Sequence, residues 1–355
     1  MPQLTRRRTL IAAMAILLVL IVGGLAIVLI ARPTPDTPRP PGGTLYVSFA
    51  DGALNHITLP AGAMEPIALS ASEGRIRRVE QVVRARDGSR IAFIGYIERG
   101  ARVYVAKPDG TDARPISAGP RDSQPAIAPD GSQVVFVRSR DFFSALFIAD
   151  TETGEERQLT EYTNELQPDW SPDGTRIVFT TSRDGFQELY TMATDGTDLR
   201  RLTDNELLND LRAKYSPDGS QIAYMTNYAV NDGSGEIWVM DAGGQNQRQL
   251  THNVLDDGSP IWSPDGRYLA FSAGTLPPDI RRALYVYDLD ADRLVQLTPS
   301  DGLVSSRLVW SPDSEWIIFI THHDDNSRTL DLIRRDGSDA HTVLDAGGDL
   351  YFWLP

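Results

Sequence analysis

Six times between residues 85 and 314 the chain returns to one tetrapeptide, Ser-Pro-Asp-Gly or a near variant. The copies are Ala85-Arg86-Asp87-Gly88, Ala128-Pro129-Asp130-Gly131, Ser171-Pro172-Asp173-Gly174, Ser216-Pro217-Asp218-Gly219, Ser263-Pro264-Asp265-Gly266 and Ser311-Pro312-Asp313-Ser314. Successive aspartates lie 43, 43, 45, 47 and 48 residues apart. A period in the forties is a severe constraint, because one such unit cannot enclose a core and must stack on its neighbours. Residues 165–203 show the grammar of a unit: short apolar segments (ELQPDW, TRIVFTTS, QELYTM, LRRLT) separated by Gly, Asp and Pro turns. That is the pattern of a four-stranded antiparallel blade. Proline presets φ, aspartate bonds the backbone beyond it and glycine accepts positive φ. The marker therefore reads as the turn between first and second strands, not as six catalytic aspartates. The aromatic three residues ahead of the marker aspartate (Trp170, Tyr215, Trp262, Trp310) falls on the first strand. It is expected to pack between blades rather than to form a carbohydrate-stacking platform.

The six markers give six blades, and the chain ends supply a seventh. Trp353 and Pro355 repeat Trp262 and Pro264, and Pro312 to Pro355 is again 43 residues. Residues 349–355 thus read as a lone first strand. The three strands it lacks appear at 42–52, 53–62 and 65–69, which resemble 88–100, 101–110 and 114–118. The expected fold is all-β: a seven-bladed β-propeller over residues 44–355, closed by N- and C-terminal strands pairing in one blade. Six blades is the alternative if these ends are irregular.

Ahead of the repeats, residues 9–31 form a 23-residue run without a charge, preceded by Arg6, Arg7 and Arg8. At about 1.5 Å per residue a helix of that length spans a bilayer. The arginines keep residues 1–8 in the cytoplasm and send the rest out. The run exceeds a cleavable signal core, and without cysteine there is no residue to acylate. Residues 32–43 (RPTPDTPRPPGG) form an extended proline-rich spacer. The expectation is a single-pass cell-membrane anchor with the propeller outside.

Charge and composition exclude several functions. The formal net charge is −14, and since the three arginines are the only charged residues before position 32, the remainder carries −17. A body that acidic repels phosphate backbones, so no nucleic-acid partner is expected. The absence of cysteine excludes disulfides, thiolate metal sites and a cysteine nucleophile.

The repeats resemble the WD40-like PD40 repeats of the TolB-type propeller. The resemblance rests on Trp262-Ser263-Pro264-Asp265-Gly266, Arg183-Asp184-Gly185, Ile237-Trp238-Val239-Met240-Asp241 and Arg200-Arg201-Leu202-Thr203, and it covers residues 44–355. It implies the propeller fold and an envelope protein or peptide as partner. The N-terminal α/β domain of TolB has no counterpart here; spacer and helix stand in its place. Similar propellers cap serine peptidases of the prolyl-oligopeptidase kind, but no residues remain for a hydrolase domain and no G-x-S-x-G occurs.

Three patterns are candidates for chemistry. His322-His323-Asp324-Asp325 reads as a solvated loop, since adjacent residues at a strand end point opposite ways. Asp288, Asp290 and Asp292 have calcium-loop spacing but lack its glycine and distal glutamate, and read as a plain turn. The third is periodic. Asp122, Glu165, Asp210 and Asp257 each lie eight residues before a marker aspartate, with Glu80 and Asp349 one position nearer. These six acids open the innermost strands and are the expected ligand-binding residues, ringing one mouth of the central channel. With no nucleophile–base pair legible, the expected function is a non-enzymatic recognition or scaffolding module of the cell envelope, monomeric and without cofactor or metal. A hydrolase or lyase at the channel mouth is the alternative.

Overall fold

The computed structural model describes residues 17–22 and 25–30 and, from 42 to 354, all but 49–51, 60–62, 70–75, 99, 206, 229–233, 254, 276–280, 301–302 and 346–348. The chain divides into two compact units, 1–40 and 41–355.

The larger unit is a propeller of antiparallel sheets. The third sheet is typical, running Asp122–Ile127, Gln133–Arg140, Phe143–Asp150, Glu156–Gln158 from inside to outside. The second, fourth and fifth begin at Arg78–Arg84, Leu166–Trp170 and Leu208–Tyr215. In the sixth the first strand is split into Asp256–Asp257 and Ile261–Trp262. The seventh begins at Leu303–Trp310 and touches the sixth through one parallel pair, Arg282 with Leu303. The first sheet is composite: Asp349–Leu354 pairs with Gly43–Ser48, followed by Leu54–Leu59 and Ala63–Pro66. The terminal pairing expected from the sequence is present.

Strand alternation explains the stacking. Along Gln133–Arg140, Val134 and Phe136 enter the core shared with the second sheet, while Val135 and Val137 enter the core shared with the fourth. Both faces are buried, so second strands read as unbroken apolar runs. Such cores lie between each consecutive pair of sheets. The last joins Val309, Ile318 and Leu332 to Leu45, Ile57 and Trp353.

The marker is the turn the sequence predicts. Asp173 Oδ1 accepts from Ser171 Oγ (2.6 Å) and the Thr175 N–H (3.0 Å), and Ser171 Oγ accepts the Arg176 N–H (2.9 Å). Gly174 closes it with φ of 72°, a value that only glycine adopts without cost. The first-strand aromatics are buried, and Trp170 donates to the Ala126 carbonyl of the preceding sheet (2.9 Å), as Trp262 does to Lys214 and Trp310 to Ile261.

Two ends follow from strand direction. Marker turns and third-to-fourth-strand turns share one end. Second-to-third-strand hairpins and the inter-sheet loops share the other, the hairpin end. Thr44 pairs with Leu354, so the chain enters and leaves the propeller at the marker end.

The smaller unit departs from expectation. Leu17–Val22 and Leu25–Ile30 are paired antiparallel strands, not parts of one helix; the rest of 9–31 lies outside the described residues. Apolar runs of six residues rich in Val, Ile and Leu, interrupted by Gly23-Gly24, carry no period that separates strand from helix. Among the described residues no helix is long and apolar enough to cross a membrane.

Candidate functional site

The repeat brings Asp122, Glu165, Asp210 and Asp257 to equivalent places at the hairpin end, at or near the start of a first strand. The structure does not turn them into the channel: all four are buried, with at most 1% exposure. Glu80 and Asp349 do not join them. In the second sheet Val79, eight residues before Asp87, takes the buried position, while Glu80, one residue further on, pairs with Arg78 and accepts from Tyr96 (2.8 Å). Asp349 is 40% exposed on its side chain, 3.6 Å from Arg307. The expected open ring of six is a row of four closed carboxylates and two partly exposed ones.

The four are closed in two ways. Opposite Asp122 stands Arg138, whose guanidinium grips both Asp122 oxygens (2.8 and 3.0 Å) and both Glu156 oxygens (2.8 Å each) over the Phe147 ring. Burial pulls the Arg138 pKa down, but the Glu156 and Asp122 hydrogen bonds outweigh it and leave the group above its ordinary value. Arg138 in turn holds Glu156 below the usual carboxylate range. Glu165 accepts from Arg183 (2.6 Å) and Thr163 (2.6 Å).

Among the described residues Asp210 and Asp257 have no cation. Asp210 accepts from Thr226 (2.6 Å) and Asn205 (2.5 Å). Burial pushes its pKa to about 6, Thr226, Thr203 and Asn205 pulling down and Glu188 pushing up. Asp257 has Thr251 as a hydrogen-bond partner, and Asn253 Nδ2 stands 3.4 Å from both its oxygens. Burial, with Glu236 and Asp256 adding repulsion, raises it to about 7. Asp257 lines a cavity of about 440 Å³ with Asp256, Arg282, Arg212 and His322. Burial and nearby Arg328 hold His322 below its ordinary pKa. Arg282 is spent on Asp256 (2.9 Å) and on backbone carbonyls.

A second periodic feature went unread in the sequence. Two residues beyond the acid position, Gln81, Gln124, Gln167 and Arg212 form bulges with φ of 51–58°. Each glutamine side chain accepts the N–H of the next: Gln124 donates to Gln81 (2.6 Å), Gln167 to Gln124 (2.5 Å) and Arg212 to Gln167 (2.8 Å). Arg212 Nη1 then donates to Ser259 (2.7 Å). The signal was available, since the glutamines recur at the marker spacing.

Of the other sequence candidates, His323 bonds Thr329 and Asp325 caps Ser327. Asp288 caps the turn at Asp290 and Ala291, while Asp290 pairs with Arg267 and Asp292 with Arg248. Among the described residues no three His, Asp or Glu side chains converge as metal ligands.

Among charged residues such as Arg140, Asp141 and Asp184, the hairpin end also exposes large apolar side chains. Phe142 is 93% exposed and Phe143 52% at the third-sheet hairpin; Phe186 is 39% exposed at the fourth-sheet hairpin and Leu207 60% at the loop into the fifth.

The family model of the TolB beta propeller domain, PD40, matches residues 84–231 and 213–349, together more than half of the chain. Three solved structures of similar fold illustrate its range. A putative TolB of Agrobacterium tumefaciens is 24% identical, with 63% of this chain and 83% of that one covered and a TM-score of 0.53. A puromycin-hydrolysing peptidase of Mycobacterium tuberculosis is 16% identical, with 86% and 54% covered and a TM-score of 0.62; the match spans about half of that peptidase. An oligogalacturonate lyase of Vibrio parahaemolyticus is 12% identical, with 86% and 93% covered and a TM-score of 0.58. At these identities the likeness is one of fold. No curated protein matches the sequence.

Proposed function

We propose, on the premise that this chain belongs to the TolB beta-propeller domain family, that it is a membrane-tethered, extracytoplasmic recognition or scaffolding module that performs no chemistry of its own. The composite first sheet and the core between seventh and first sheets support a ring of seven blades over one of six. The anchor is residues 9–31. A lone two-stranded ladder leaves its outer N–H and C=O groups unpaired, which lipid does not satisfy, so in a bilayer this segment is a helix.

The observation that carries the reading is the row of exposed apolar tips, Phe142, Phe143, Phe186 and Leu207, on three consecutive sheets at the end away from the Thr44–Leu354 pair. Aromatic side chains in water without a partner mark a binding face. The partner is an envelope protein or peptide that covers these tips. The carboxylate row beneath supports the face rather than touching the ligand. A hydrolase or lyase would need a catalytic group facing substrate, and Asp257, which lines the cavity with His322, is buried.

The test is capture from solubilised membranes with the full chain and with the double variant Phe142→Ser, Phe143→Ser. The variant keeps its melting temperature and loses the envelope partner that the parent retains. If both capture the same proteins in the same yield, the hairpin end is not the recognition face.

A further inference from the structure

The opposite end of the channel holds a cavity of about 560 Å³. Its wall carries the marker prolines Pro129, Pro172, Pro217 and Pro264 and the ring of Phe352. The repeat is broken here in one sheet only. One first-strand ladder position holds Ile127, Trp170, Tyr215, Trp262, Trp310 and Trp353 in six sheets, but in the second it holds Arg84. Two residues on, where the marker has proline, the second sheet has Arg86. Both arginines line the cavity.

Among the described residues neither has a carboxylate partner. Arg84 lies 5.9 Å from the centre of the Phe352 ring. Burial holds its guanidinium below the ordinary value, with Tyr46 and Asp87 acting the other way. Arg86 reaches across the cavity and donates one N–H to the Pro217 carbonyl (2.7 Å), leaving the rest of its fork unused. The other charged lining groups, Asp169 and Lys214, pair with each other at 2.8 Å. In a domain with a charge of −17, this cavity is cationic.

We propose that the marker-end cavity is a binding site for an arylcarboxylate-type ligand, its oxyanion held between Arg84 and Arg86 and its flat apolar body against Phe352 and the proline wall. Arginine forks match planar oxyanions in two-point geometry, and a mixed apolar wall with few polar groups is the usual make-up of a small-molecule site. Two substitutions in one blade, both to arginine and both facing one cavity, break local consistency in the way that binding sites do. The site is at the other end of the propeller from the recognition face and does not depend on it.

The experiment is titration calorimetry on the full chain in detergent, with sodium benzoate, inorganic phosphate and benzylamine as probes. Benzoate binds with one-to-one stoichiometry more tightly than phosphate, and benzylamine does not bind. The variants Arg84→Trp and Arg86→Pro install the residues of the sister blades, so they keep the melting temperature. Each weakens benzoate by about tenfold, the loss of one charge-assisted hydrogen bond. Phosphate binding as tightly as benzoate removes the apolar half of the site. Benzylamine binding equal to benzoate, unchanged affinity in both variants, or no saturable benzoate binding overturns the proposal.

Discussion

The third and fourth sheets bury an acid against an arginine; the fifth and sixth bury the same acid against neutral donors. The backbone position is shared, and the difference lies in whether the second strand or its hairpin supplies an arginine; in the fourth sheet Arg183 reaches Glu165 from the hairpin. Arg138 stands opposite Asp122, whereas Thr226 stands opposite Asp210 and Ala273 opposite Asp257. An ionised carboxylate taken out of water needs a cation or a set of good hydrogen bonds. Where neither is complete, a proton takes the place of the cation, which is why Asp210 and Asp257 move up to about 6 and about 7. One fold position therefore pairs a carboxylate with an arginine on one side of the ring and holds a carboxylate of raised pKa on the other.

The largest effect should come from breaking the ion-pair side. Arg138→Met leaves Asp122 fully buried and Glu156 beside it without a counter-charge. Removing one partner of a buried pair costs about 3–5 kcal/mol. Urea unfolding near neutral pH measures it through the midpoint. A loss below about 1 kcal/mol would place this pair with ordinary surface bridges and dissolve the contrast between the two halves.

The two halves also respond oppositely to pH. Glu156 lies below its ordinary value because of Arg138, so its contribution is present above the unfolded pKa and lost as pH falls through the folded one. Asp257 lies above its ordinary value. Its contribution is fully present below the unfolded pKa of about 3.9 and is lost as pH rises through about 7. A shift of about three units corresponds to about 3–4 kcal/mol over that window. Asp257→Asn removes the titration while keeping the shape, so the variant gains on the parent as pH rises from about 4 to about 8. Parallel stability–pH profiles for the two proteins would mean that Asp257 is ionised throughout.

These contrasts show what the sequence could and could not disclose. Turns and cores were legible because they depend on local chemistry and on period: Ser171-Pro172-Asp173-Gly174 makes its own hydrogen bonds, and Trp170 recurs at fixed offset. The acids were legible as a series but not as an environment. Whether a carboxylate meets an arginine depends on what the second strand or its hairpin supplies, Arg138 in the third sheet and Arg183 in the fourth. Glu80 lies one position past the acid site, which Val79 occupies in the second sheet. Gln81, Gln124 and Gln167 recur at the marker spacing, but that period does not say what they bond; the left-handed φ is what turns each onto the next sheet.

The smallest effect tests why the fifth- and sixth-sheet acids differ from each other. Both belong to a box of four: Glu188, Thr203, Asn205 and Asp210 in one, Glu236, Thr251, Asn253 and Asp257 in the other. In both the asparagine N–H donates to the glutamate, at 2.8 Å from Asn205 and 3.1 Å from Asn253. In the first, Arg201 donates to the Thr203 carbonyl (2.7 Å) and to Glu188 (3.0 Å). In the second the equivalent residue is Gln249, which keeps the bond to the Thr251 carbonyl (2.7 Å). It offers no charge to Glu236, whose Oε2 is buried without a partner among the described residues. Glu236 then repels Asp257 and helps push it above Asp210. Gln249→Arg supplies the missing guanidinium in a geometry the sister box already uses. The gain should be about 1 kcal/mol at a pH above 7, as for a partly exposed pair, with the Asp257 titration moving down toward that of Asp210. Both are read from stability–pH profiles of parent and variant. The gain should shrink toward pH 4, where Asp257 carries its proton and the repulsion that the added cation relieves is gone. A gain independent of pH would trace the effect to packing of the longer side chain, and the difference between the boxes would then lie in burial alone.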